Sequence, residues 1–585
     1  MTFLLHLPSS ILLCLCLALP ATAATPSESL HALFAREWDY AMEQAPTWAS
    51  ELGDRRWNDR WEDLSLDAIA RRHRHNQDLL AELQRLDRAK LPPADQLNYD
   101  LFRKGYADGV EGHQFALYLI PINQRNGIQT ADELADSLRF ETLKDYEDWL
   151  GRLRAFPRYL DQTLALLREG ARTRTVLPKI VMQRVPAQID KQIVEKPADS
   201  PFFKPFRQFP DSISAADRQR LVAAAQDTIG RGVIPAFRKL KEYFAGEYLP
   251  ACFDEVGAWQ LPQGERLYAF QARLYTTTSL TPQEIHELGL NEVKRIRAGM
   301  IVAKDKAGFK GSLPEFFQFL RTDPQFYYKT SGELLDGYRA ISKRIDPHMV
   351  RLFKTLPRMP YGVEPIPDNV APDTTTAYYR QPAADGSRAG TFFVNLYRPE
   401  TRPKWEMMAL SLHEAVPGHH LQIALAMEQG ELPNFRRYGG YTAYVEGWGL
   451  YSEHLGEELG LYDDPYSKMG QLTYEMWRAV RLVVDTGMHY KKWTRQQAID
   501  FFKDNAPKAE NDIINEIDRY IAWPGQALAY KIGELKLKEL RARAQRELGP
   551  RFDVKEFHDV ILASGALPLD VLEERVAAWL ARAKK

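Results

Sequence analysis

The stretch His413-Glu414-Ala415-Val416-Pro417-Gly418-His419-His420 places three imidazoles and one carboxylate within eight residues. Neutral imidazole is the commonest side-chain ligand of zinc, and a carboxylate beside a zinc ligand is where a hydrolase keeps its general base. Further along, Tyr444-Val445-Glu446-Gly447-Trp448 offers another carboxylate at a separation suited to a second helix. These residues predict a zinc metallohydrolase built on helices, with peptide hydrolysis as the leading activity.

The spacing is not that of H-E-x-x-H, in which histidines at i and i+4 share one helix face. The fourth residue after His413 is Pro417, which cannot coordinate a metal. On a continuous helix His419 would lie about 240° around and about 9 Å along, and His420 about 10.5 Å along, both too far to share an ion with His413. The motif therefore requires a broken helix. Proline removes an N–H and clashes with the preceding turn, and glycine accepts backbone angles that other residues resist. A bulge or wide turn at Pro417-Gly418 would make His419 the equivalent of the i+4 ligand and rotate His420 away, towards a supporting or substrate-facing role. The opposing reading is a histidine-rich helix end stopped by Pro-Gly.

H-E-x-x-P-G-H-H followed by Y-x-E-G-W resembles the signature of a large, mostly bacterial family catalogued as a domain of unknown function. Its members look like distant relatives of the gluzincin metallopeptidases, which include angiotensin-converting-enzyme-like, thimet-type and Taq-carboxypeptidase-like enzymes. The resemblance covers most of the mature chain. It implies a mostly α, large helical gluzincin-like fold around a catalytic cleft. It also implies one Zn2+ per chain, held by two histidines and a glutamate from a later helix, with the motif glutamate as base. Two inserted residues separate this motif from the gluzincin pattern, and dipeptidyl peptidases carrying H-E-L-L-G-H also have a lengthened motif.

The composition describes a globular protein: 585 residues, 45% hydrophobic, with 77 basic against 78 acidic side chains. No basic stripe points to nucleic acid, and such a chain is long enough for two or more subdomains. Residues 11–19 form a short apolar run followed by Ala21-Thr22-Ala23, which fits a signal peptide (1–23) cleaved after Ala23. The expected destination is the periplasm or the medium. Cys14 and Cys16 do not sit in a good lipoprotein box, so an acylated anchor is not expected. Removal of the leader leaves Cys252 alone, so the zinc ligands must be nitrogen and oxygen donors, as in a catalytic site. No later apolar run is long enough for a transmembrane anchor.

Most of the remaining chain reads as helix. Thr281, Thr330 and Thr494 each begin a capping box, and residues 68–86 and 218–248 show helical spacing of apolar positions. A soft division near residue 280 separates an N-terminal helical scaffold (24–280) from a catalytic half (281–585), within what reads as one continuous family domain. Residues 374–381 and 390–397, rich in Thr, Tyr, Phe and Val and separated by Pro382 and Asp385-Gly386, predict a β-hairpin beside the zinc helix. Its open edge could hold an extended peptide, or it could be a plain surface hairpin. Residues 186–210 and 358–372 read as long connections.

His413, His419 and Glu446 are the expected metal ligands, and Glu414 the general base. Glu453, seven residues after Glu446 on the same face, competes for the third position. Glu446 is preferred because Gly447 permits close approach to the motif helix and because the resemblance places the ligand there. Arg481, Asp485 and His489 recur every four residues, so Asp485 could orient His489, or the three could form a solvated ion ladder. By resemblance to angiotensin-converting-enzyme-like peptidases, His489 and Tyr530 are the candidates to polarise the scissile carbonyl, with Tyr520 in reserve. The expected partner is a peptide or small amide substrate. An amidase or esterase acting on a non-peptide substrate, and a helical binding protein that no longer catalyses, are the alternatives.

Overall fold

Thr281, Thr330 and Thr494 each cap a helix as their sequence predicts. In all three the threonine hydroxyl accepts the N3 backbone N–H while the N3 Glu or Gln side chain accepts the N-cap N–H. The computed structural model describes residues 25–585 apart from 369, 370, 374, 384, 385 and 387. The expected signal segment and Asp385 of the hairpin turn lie outside the described residues.

The structure is mostly helical with one small sheet. The helical reading of 68–86 corresponds to Leu66–Leu83, and that of 218–248 to Ala215–Thr228 and Ile234–Tyr243. Single π-helical turns follow each of the latter two helices. Residues 186–210 are not the structureless connection expected. They hold the helix Val185–Lys191 and two 3-10 segments, Pro197–Asp199 and Pro201–Arg207. Phe202, Phe203 and Phe206 are buried in the main apolar cluster there, so aromatic burial organises a stretch whose prolines suggested a loop. That cluster draws on residues from Phe115 to Ala527 and crosses residue 280 without interruption. No helix among the described residues is long and apolar enough to cross a membrane.

Seven helices surround the motif: α1 (Pro282–Lys306), α2 (Lys404–Glu414), α3 (His419–Glu428), α4 (Thr442–Leu459), α5 (Pro465–His489), α6 (Glu510–Ala522) and α7 (Ala529–Leu548). Helix α5 lies at the centre, with every residue from Met469 to His489 buried. It packs along α1 and under α2, while α4 packs along α7. A helix buried all round that still carries Glu475, Arg478, Arg481 and Asp485 needs a partner for each charge.

Strands β1 (Tyr361–Pro365), β2 (Ala377–Arg380) and β3 (Gly390–Val394) form a sheet in the order β1-β3-β2. The expected hairpin is present: β2 and β3 pair antiparallel, with Ala377 opposite Val394. Strand β1 was not foreseen, because it lies inside the proline-rich stretch 358–372 and pairs with β3 in parallel. Pro365 is tolerated because β1 is an edge strand. Strand β3 is central and wholly buried, which accounts for the continuous apolar run Phe392-Phe393-Val394.

One buried ion cluster ties α1, α5 and α7 together. The Lys531 ammonium lies 2.9 Å from Glu475, 2.6 Å from Glu534 and 3.0 Å from Glu292, and is completely buried. Burial opposes its charge, and the three carboxylates outweigh that cost and keep it protonated. Removing the cation strands carboxylates in the interior. Lys531→Met is expected to destabilise the chain by about 3–5 kcal/mol, read as a lower denaturant midpoint at unchanged slope.

Candidate metal centre

Helix α2 stops at Glu414 and α3 begins at His419, so the motif spans two helices joined by a turn. The wide turn required by the spacing is present, with a cis peptide between Val416 and Pro417. Gly418 is the residue that makes it possible, because a Cβ there would collide with the carbonyl oxygen of His413. The His420 N–H donates to the Ala415 carbonyl across the turn, at 3.1 Å. From α4, the Trp448 indole N–H donates to the Pro417 carbonyl at 2.7 Å and locks the turn against the second motif.

This geometry brings three donors together. One ligand atom each from His413, His419 and Glu446 lies within 4.8 Å of the others. Glu446 Oε2 is 3.5 Å from Nε2 of His413 and 3.5 Å from Nε2 of His419. The two imidazole planes stand at 84° with centroids 4.6 Å apart. Those separations exceed the roughly 2.7–2.9 Å of a charge-assisted hydrogen bond. Accordingly, Glu446 Oε2 is buried with no hydrogen-bond partner. An edge of about 3.3–3.4 Å is what a tetrahedron with bonds of about 2.0–2.1 Å requires. The donor set and the orphaned oxygen both fit a zinc ion.

The surrounding charges favour a cation. Glu453 Oε1 accepts from His413 Nδ1–H at 2.8 Å, which leaves Nε2 facing the other donors. Burial works against a charged His413, but the neighbouring Glu446 and Glu453 carboxylates win and raise its pKa to about 9. Burial alone would raise Glu446; the two imidazoles hold it well below the usual carboxylate range. Glu414 is nearly buried, its charge also acts on His413, and it makes no hydrogen bond or ion pair with any described residue.

Glu453 therefore sits behind His413 and not in the third ligand position, one hydrogen bond from the cluster. Gly447, expected to let α4 approach the motif helix, makes a different close approach. Gly447 does not face the motif helix: a Cβ there would meet Gly533 on α7 at 2.5 Å. The glycine that admits His413 is Gly449, where a Cβ would stand 2.7 Å from the imidazole Cε1. The spacing Glu446, Gly449, Glu453 on one helical face was the available signal for both Gly449 and Glu453.

His420 points elsewhere. Its Nε2–H donates to the Met359 carbonyl at 3.0 Å, so Nδ1 accepts the Tyr379 hydroxyl at 2.9 Å. Burial lowers its pKa to about 4, keeping it neutral. The ring pins α3 to β2 and to the residue two before β1, with both nitrogens occupied.

The ladder on α5 is neither solvated nor arranged as expected. His489 is buried, with Nδ1 accepting the Ala258 N–H at 2.9 Å and Nε2–H donating to the Tyr520 carbonyl at 3.0 Å. Both nitrogens are taken by backbone, so the structure does not bring His489 to the metal cluster as a free donor. Asp485 does not orient it; it accepts the Tyr268 hydroxyl and the Gly525 N–H. Tyr520 donates to Glu516 and accepts from Trp477 and Arg481. Tyr530 lies with its ring 4.2 Å from the Arg481 guanidinium carbon and its hydroxyl 3.3 Å from Arg519. It stands one turn before Gly533, where α7 crosses α4 beside Gly447.

The model of a family described as "Bacterial protein of unknown function (DUF885)" matches residues 46–576. The chain is a DUF885 protein. Among solved structures, it is similar to the "putative lipoprotein" of Colwellia psychrerythraea, at 30% identity and a TM-score of 0.86, covering 96% of this chain and 100% of that one. A "putative lipoprotein of unknown function" from Shewanella oneidensis shares the fold at 17% identity and a TM-score of 0.70, covering 94% and 99%. No curated protein matches this DUF885 chain.

A structural role for His489 has a pH signature. Burial lowers its pKa to about 4, so below the unfolded value of about 6.5 the unfolded chain binds a proton that the native ring refuses. Stability from this site is intact above about pH 6.5 and falls towards pH 4, by about 3 kcal/mol at full extent. His489→Gln should flatten the stability profile over that interval in chemical denaturation followed at each pH.

Proposed function

We propose that this chain is an exported zinc-dependent hydrolase that cleaves amide bonds, with short peptides as substrates. The observation that carries this reading is Glu446 Oε2, buried without a hydrogen bond and equidistant from two imidazole nitrogens, next to a partnerless Glu414. His413, His419 and Glu446 would hold the ion. When bound there, zinc supplies Lewis acidity, acidifying water and polarising a carbonyl. This donor set, carried on neighbouring helices, is the basis for relating the site to the gluzincins. Cleavage of a leader after Ala23 and residence outside the cytoplasm belong to the same proposal.

The protein's own groups then have separate tasks. Glu414 takes the proton of the attacking water and passes it to the leaving amine. Glu453 fixes the His413 ring so that Nε2 faces inward, and Trp448 holds the turn that presents His419. Strand β2 presents an edge beside His420, with Tyr378 exposed, where an extended chain could add main-chain hydrogen bonds.

Elemental analysis should find one zinc per chain. His419→Ala should lose the metal, whereas His420→Ala should keep it and weaken activity by loosening the sheet. The reverse pattern would assign the ligand to His420. Glu414→Gln preserves shape and should retain zinc, but turnover of a peptide pool followed by mass spectrometry should fall by about 10²–10⁴. Wild-type turnover in that variant would refute the mechanism.

A further inference from the structure

A second group of charges, arginines this time, lies further along α5. Arg481 is buried and Arg519 half-buried beside Glu516, with Arg481 Nη2 at 3.0 Å and Arg519 Nη1 at 3.2 Å from the same carboxylate oxygen. Arg125 is half-buried and close enough for its charge to act on Glu516 and Arg519. Two guanidiniums thus share one carboxylate, which they hold ionised against its burial, with a third cation nearby. Asp485 is the other acid near Arg481 and Arg519, and burial lifts it to about 7 while Tyr268 and Gly525 occupy its oxygens. Cations remain in excess either way.

Their hydrogen bonding is also incomplete. Arg481 Nη1 is buried with no partner, although the residue is only 3% exposed. The Arg125 guanidinium makes no hydrogen bond or ion pair with any described residue. Tyr530 accepts from Arg519, which leaves its own hydroxyl proton available. A buried guanidinium nitrogen without a partner is costly, and so is a half-buried cation that no carboxylate pairs; an anion entering from the cleft would satisfy both.

The position suits a substrate. Arg125 lines a cleft of about 400 Å³ that also takes in Asn511 and Asn515 of α6 and Pro372. Pro372 belongs to the connection running into β2, whose Tyr379 touches His420. On α5, Arg478 lies 3.5 Å from Glu453, the partner of His413. Arg478 and Arg481 both stack on Trp477, with guanidinium carbons 4.9 and 5.0 Å from the ring centroid. The arginine group is therefore one turn of α5, about 4.5 Å of rise, from a residue that touches the metal centre's support.

We propose that Arg125, Arg481 and Arg519, with the Tyr530 hydroxyl, form a subsite for a substrate carboxylate. The carboxylate is the C-terminus of a short peptide or an acidic side chain near it. This deepens the hydrolase reading and rests on it for the nature of the rest of the substrate.

The test uses the full mature chain carrying Glu414→Gln, so that binding is read without turnover. It is dialysed to equilibrium against an equimolar pool of N-acetylated pentapeptides, each present as free acid and as C-terminal amide, and with Glu or Gln near the end. Bound peptides are counted by mass spectrometry. Free acids or Glu-bearing members should be retained on the order of 10–100-fold over their neutral twins, and which of the two shows the source of the carboxylate. Adding Arg125→Gln should abolish the preference; Arg125 has no protein partner to lose, and an unchanged melting curve checks that the fold survives. Equal retention of charged and neutral members, retention of none, or a preference that survives Arg125→Gln would each overturn the subsite. A zinc-free wild type without turnover would instead sink the hydrolase reading, while the carboxylate preference is measured independently of both.

Discussion

The candidate metal centre depends on a steric constraint at Gly418. A helix that simply continued past Glu414 would carry His419 away from His413, and a side chain at position 418 would collide with the His413 carbonyl. Glycine there lets the chain fold back over the end of α2 and start α3 with His419 facing His413. The turn is then held from outside, by the Trp448 indole on the Pro417 carbonyl. Trp448 lies two residues from Glu446, so the helix that supplies the third donor also fixes the turn that supplies the second. Metal geometry and helix packing are thus set by the same contacts. Displacing α4 would move Glu446 and release the turn together.

The same logic explains each position of the second motif. Tyr444 donates to the Ile561 carbonyl, Glu446 enters the site, Gly447 lets α4 meet α7, and Trp448 caps the turn. Gly449 follows as the space into which the His413 ring fits. Because a helix turns by about 100° per residue, Glu446 and Gly449 share the face towards the site, Tyr444 and Trp448 share another, and Gly447 faces α7.

Helices, their caps, the β2–β3 hairpin and the convergence of His413, His419 and Glu446 were legible because each rests on local spacing. A capping box is read over four residues, and a broken H-E-x-x-H is read from one Pro-Gly. What the sequence did not reveal depends on partners distant in the chain. Strand β1 forms because β3 is already there to pair with it in parallel, a contact invisible from its own prolines. His489 was expected as a substrate donor from its spacing after Asp485 and the resemblance to angiotensin-converting-enzyme-like peptidases, but the Ala258 N–H and the Tyr520 carbonyl claim both nitrogens. Gly447 and Gly449 are interchangeable in sequence, and only the packing shows which one faces α7 and which one His413.

Helix α5 gives the interior an electrostatic direction. Glu475, on its N-terminal half, is held ionised by Lys531, Lys538 and Arg295. In its middle, Arg478 reaches the Glu453 carboxylate behind His413. A turn later, Arg481 joins Arg519 against the single carboxylate of Glu516. The acidic donors and the surplus guanidiniums therefore stand close together without cancelling one another, with Arg478 and Arg481 both stacked on Trp477. Mutual neutralisation would be the lower-energy arrangement for a protein selected for stability alone, since buried charges are expensive when imperfectly paired. Keeping a cation-seeking cluster and an anion-seeking cluster apart is what the proposed metal and carboxylate sites would both require. The rigid, fully buried α5 is what prevents the two from collapsing onto each other.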